Sequence, residues 1–98
     1  MARYDVHRGN DGHLYLDVQA SNLDHLNTRI VIPLMTLDAA PIPVRYLNPL
    51  FPIDGEMRSL VTQYMGPVRT ASLGRVVASL AHEHDRITAA LDRLFSGF

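Results

Sequence analysis

The stretch Leu14-Tyr15-Leu16-Asp17-Val18-Gln19, followed after a polar break by Arg29-Ile30-Val31-Ile32-Pro33-Leu34, decides the fold class. In the first run Leu14, Leu16 and Val18 alternate with Tyr15, Asp17 and Gln19. Period-two alternation marks a strand with one buried face. The second run is apolar through its centre, as a well-buried strand is. Pro33 has no N–H to give a ladder, so it is expected at a strand end, an edge or a bulge.

Tyr4 and Val6 alternate with Arg3, Asp5 and His7 ahead of the turn cluster Gly9-Asn10-Asp11-Gly12. Two alternating runs around an Asp-Gly turn predict a β-hairpin. A second hairpin is expected from Leu47 to Ile53 and Glu56 to Gln63, turning at Asp54-Gly55. Ala20 to Asn27 reads as a loop. Residues 35–45, with Pro41 and Pro43, read as an irregular excursion. Val68 to Thr70 adds one short strand.

From Ser79 the period changes. Leu80, His84, Ile87, Leu91, Leu94 and Phe95 fall within roughly a 100° sector of a helical wheel. A helix is predicted to begin between Ser79 and His84, with Ser79 as N-cap, and to end by Ser96. Leu80, Ile87, Leu91 and Leu94 are its expected buried residues, and His84 is expected half-buried beside them. Gly97 suits the left-handed position that closes a helix. The fold class is therefore mainly β with one C-terminal α-helix: a small bent antiparallel sheet, or partly open barrel, with the helix on its apolar side.

Composition narrows the function. The chain has 98 residues, 47% of them hydrophobic and 19% charged, and a net charge of −1. This suits one domain over residues 1–98 and argues against disorder and against a free-standing nucleic-acid binder. No apolar run is long enough to span a membrane and no signal-peptide pattern opens the chain, so a cytoplasmic protein is expected. With no cysteine, thiolate metal sites and cysteine nucleophiles drop out. All nine basic residues are arginine, which names no partner by itself.

His82-Glu83-His84-Asp85 is the most conspicuous polar cluster. Two histidines two residues apart point about 200° apart on a helix, whereas chelation needs i, i+4 spacing, so no metal is expected. No phosphate-cradling glycine loop or nucleophile elbow is present, and no cofactor is expected. Asp17, Asp24, His25 and Thr28 have no spacing that demands a hydrolytic set. Asp24 and Asn27 read as turn residues bonding nearby backbone. The ending Leu91-Asp92-Arg93-Leu94-Phe95-Ser96-Gly97-Phe98 places two phenylalanines three apart around a glycine, either as a docked last turn or as an aromatic anchor for a partner.

Leu16-Asp17-Val18-Gln19, Arg29-Ile30-Val31-Ile32-Pro33-Leu34 and Ala90-Leu91-Asp92-Arg93-Leu94-Phe95-Ser96-Gly97-Phe98, in that order, resemble the CcdB toxin family of type II toxin–antitoxin modules. The resemblance runs from about Tyr4 to the last residue. It implies a homodimer of small barrel-like domains with both C-terminal tips near the two-fold axis. It also implies a non-enzymatic toxin that binds the DNA gyrase A subunit and traps the gyrase–DNA cleavage complex. A cognate CcdA-like antitoxin would neutralise it, and operator DNA would be met only through the antitoxin. Carried over by position, the gyrase-binding residues are Asn22, Leu23, Asp92, Phe95, Ser96, Gly97 and Phe98. Asn22, Asp92 and Ser96 stand where the best-known plasmid member has isoleucine, asparagine and tryptophan. Two alternatives go with this: a MazF-like endoribonuclease toxin on the same barrel, for which the sequence offers no compact acid–base site, and a degenerate, non-toxic antitoxin-binding member.

Overall fold

The computed structural model describes residues 2–97. Seven strands, β1 (Asp5–Gly9), β2 (Leu14–Asp17), β3 (Thr28–Thr36), β4 (Leu50–Ile53), β5 (Glu56–Leu60), β6 (Gly66–Arg69) and β7 (Leu73–Ser79), precede one helix, α1 (His84–Ser96). The sheet is antiparallel, in the order β4-β5-β3-β2-β1-β7, with β6 also on β3. It curls into a half-barrel, the expected mainly-β fold with a C-terminal helix.

Both hairpins turn where expected. Gly12 takes φ 84°, and its N–H donates to Gly9 O at 2.9 Å. Asp54 and Gly55 both have positive φ, 51° and 80°, the requirement of a two-residue type I′ turn. Pro33 is not at a strand end. Along one edge of β3 runs β2; along the other, β6 pairs residues 28–31 and β5 pairs residues 34–36. Pro33 sits in the gap between those two partners, where its carbonyl accepts Val61 N–H at 3.1 Å. N and C=O of one strand residue face the same edge, so the missing N–H falls where no ladder bond is due.

β7 was not among the expected strands. Its pairing with β1 shifts register on both sides of His7, and its burial does not alternate. Bulges of this kind erase the period-two signal. Gly74 lies so close to β1 that a Cβ there would stand 2.3 Å from Arg8 O. That approach requires glycine.

Val6, Leu16, Ile32, Leu34, Phe51 and Leu60 form the core with Ile87 and Ala90 of α1. Arg86 pins the helix across the sheet: its guanidinium stacks 4.5 Å above the Phe51 ring and donates to Leu50 O at 3.1 Å. α1 begins and ends within the expected limits. Ser79 does not cap it, however. Its hydroxyl accepts Ala81 N–H at 3.3 Å and opens a 3-10 turn over Ala81–Glu83 that leads into α1. Leu80 is buried ahead of the helix, while Leu91 and Leu94 are only half-buried. His84 is exposed rather than half-buried. As the first helical residue its ring turns back on the chain, meeting Ala81 O at 3.1 Å and Asp85 Oδ1 at 3.0 Å.

Candidate functional site

The expected site residues fall on two exposed segments. Asn22 and Leu23 lie on a 3-10 turn, Ser21–Leu23, between β2 and β3, and Leu23 is 38% exposed. Asp92, Phe95 and Ser96 lie on the last turns of α1 and are exposed, Phe95 at 70%. Gly97 closes the helix with φ 76°, and its N–H donates to Arg93 O at 3.1 Å. Arg93 in turn donates to Gly97 O at 2.8 Å, so the terminal turn is fixed from both sides. Phe98 lies outside the described residues.

Phe95 shares the wheel sector of Ile87 and Leu91 yet is exposed, because the face that meets the sheet is centred on Ile87 and Ala90, roughly 110° away. A large apolar side chain presented on a rigid helix end suits an interface anchor.

The turn carrying Asn22 and Leu23 is held by groups that periodicity placed outside. Asp17 and Arg29 are fully buried and form a bidentate ion pair, Nε to Oδ2 at 2.9 Å and a terminal nitrogen to Oδ1 at 3.0 Å. The same Arg29 nitrogen donates to Gln19 O at 3.1 Å, and Gln19 N–H donates to Asp17 Oδ1 at 3.0 Å. The Gln19 side chain accepts Ile30 N–H at 3.0 Å and donates to Thr28 O at 3.2 Å and Leu23 O at 3.4 Å. Thus Gln19 organises the loop; contrary to expectation, the Asp24 and Asn27 side chains make no hydrogen bond to nearby backbone among the described residues.

One further cluster escaped sequence spacing. Where β3 outruns β2, a pocket of about 500 Å³ gathers His13, Tyr15, Thr36, Arg58 and Tyr64 among apolar neighbours. Tyr15 donates to Asp11 Oδ2 at 2.5 Å. Burial and that bond push the Tyr15 hydroxyl up to about 12, and the same bond holds the Asp11 carboxyl below its ordinary range. Arg58 is tied to Leu34 O at 3.0 Å and to Glu56 Oε1 at 3.1 Å. These residues are scattered over four elements and loops, so only the fold brings them together.

The family model described as CcdB protein matches residues 3–97, nearly the whole chain. The chain belongs to the CcdB family. It is thereby placed among the toxins of toxin–antitoxin modules, with an antitoxin as the implied partner. Among solved structures, an endoribonuclease from mycobacterial species is similar in fold, with a TM-score of 0.76 at 16% identity over 94% of this chain and 88% of that one. Identity this low carries the fold alone. Among the described residues of this CcdB-family chain, no helix is long and apolar enough to cross a membrane.

Proposed function

We propose that this toxin acts in the cytoplasm as a homodimer that binds the DNA gyrase A subunit and traps the gyrase–DNA cleavage complex. It does so without catalysing a reaction of its own. A CcdA-like antitoxin releases gyrase, and operator DNA is met only through that antitoxin. Family membership supports the class of target, and the observation that carries the reading is Phe95, exposed on a helix end locked by Gly97 and Arg93. An aromatic side chain of this kind buries ~150–250 Å² on binding. It thereby supplies the apolar contact that Ser96, standing in place of a tryptophan, does not. Asn22, Leu23, Asp92, Ser96, Gly97 and Phe98 complete the contact set. Purified protein mixed with gyrase, ATP and supercoiled plasmid is expected to accumulate linear, protein-linked DNA. Unchanged supercoiling activity at micromolar toxin would reject the proposal.

A second reading rests on the pocket around His13, Tyr15, Thr36, Arg58 and Tyr64. An imidazole, a guanidinium and hydroxyls beside one cavity are the residue types of a metal-independent ribonuclease. Incubation with bulk RNA decides between the two: cleavage that His13→Ala and Arg58→Ala abolish favours the ribonuclease.

A further inference from the structure

Every side chain from Ala20 to Thr28 is exposed, so no apolar burial fixes the segment that carries Asn22 and Leu23. Its own short bonds, Leu23 N–H to Ala20 O and Leu26 N–H to Leu23 O, both at 3.1 Å, form a turn but do not orient it on the sheet. Orientation comes from outside. Arg3 N–H donates to Ser21 Oγ at 3.0 Å near one end, and Thr70 N–H donates to Asn27 O at 2.8 Å near the other. In the middle stands Gln19. Its amide nitrogen spans the loop by reaching both Leu23 O and Thr28 O, while its amide oxygen holds Ile30 N–H on β3. Its own backbone is held on both sides by the buried Asp17–Arg29 pair.

We infer that Gln19 is a positioning residue: its carboxamide, braced by Asp17 and Arg29, sets the turn that presents Asn22 and Leu23 to the target. The inference rests on the gyrase reading for the identity of that target and on geometry alone for the clamp. The required chemistry is specific to an amide. The oxygen faces an N–H donor and the nitrogen faces two carbonyl acceptors, so neither an alkyl group nor a carboxylate serves both sides. Gln19→Glu retains shape and the bond from Ile30 N–H but turns an acceptor toward two carbonyls. Gln19→Ala removes both halves.

Two measurements on the full chain test this. Amide hydrogen exchange should quicken by about tenfold at Leu23 and Leu26 in Gln19→Glu and in Gln19→Ala, the effect of losing one net hydrogen bond. Exchange at Leu16, Ile32 and Leu34 should stay far slower than at the loop in Gln19→Glu, quickening by no more than the same factor. Binding to purified gyrase A subunit should weaken by about the same factor or more, through slower association, with the melting temperature of Gln19→Glu lowered by only the few degrees that one hydrogen bond accounts for. Unchanged exchange over 21–26 in both variants would overturn the clamp. A loosened loop with undiminished gyrase affinity would overturn its role in presentation. Failure of the parent protein to bind gyrase would reject the target instead, leaving the exchange result to judge the clamp.

Discussion

β2 and β3 are held in the opposite way from the loop that joins them. The strands carry Leu16, Asp17, Arg29, Val31 and Ile32 with essentially no exposed surface. The loop between them has no buried side chain from Ala20 to Asn27. Helix α1 repeats the contrast along its length, with Ile87 and Ala90 in the core and Phe95 and Ser96 in solvent. Residues that make the fold and the exposed residues proposed to meet a target are therefore separate sets, joined through a few polar tethers. Substitutions in the first set should register in stability, and those in the second in binding.

The largest effect is expected at Asp17→Asn. Arg29 would keep its charge in a site with no exposure and lose its ionic partner, a loss of about 3–5 kcal/mol. Urea denaturation should show the midpoint falling sharply, and a shift below 1 kcal/mol would mean the pair is relieved by water. Ile87→Ala follows, at about 2–4 kcal/mol for a cavity between helix and sheet. Equal stability of that variant and the parent would show that α1 does not seal the core.

The smallest effect concerns Tyr15. Its hydroxyl holds its proton to about 12 instead of 10 in the folded chain. The resulting stabilisation is present below pH 10 and is lost as pH rises through 10 to 12. Tyr15→Phe should flatten that alkaline decline without changing the neutral-pH midpoint by more than a few tenths of a kcal/mol. An identical alkaline profile for both proteins would remove Tyr15 from the account.

How much of this was legible in the sequence follows the same division. Alternation at Leu14, Leu16 and Val18, two Asp-Gly turns and the wheel through Ile87 and Leu91 announce the hairpins and the helix, because each signal is local. β7 was hidden because bulges against β1 break its period. Asp17 and Arg29 were hidden because alternation assigns polar residues to solvent, whereas the curled sheet buries both faces at that point. The wheel also misjudged His84, since the chain enters α1 through a 3-10 turn and Leu80 and His84 do not share one helical phase. The tip and the turn at Asn22 enter as contact candidates through family resemblance alone. Their local sequence carries no signal beyond exposed polarity and one aromatic anchor. The pocket at His13 and Arg58 depends wholly on tertiary pairing.

On the proposed function, Phe95 serves a target rather than the fold. The direct test compares the parent with Phe95→Ala in a gyrase cleavage assay and in thermal melting on the same preparations. Loss of trapped, cleaved plasmid is expected, with stability within about 0.5 kcal/mol of the parent, as for an exposed side chain. A Phe95→Ala protein that still traps gyrase, or one that melts many degrees lower, would contradict it.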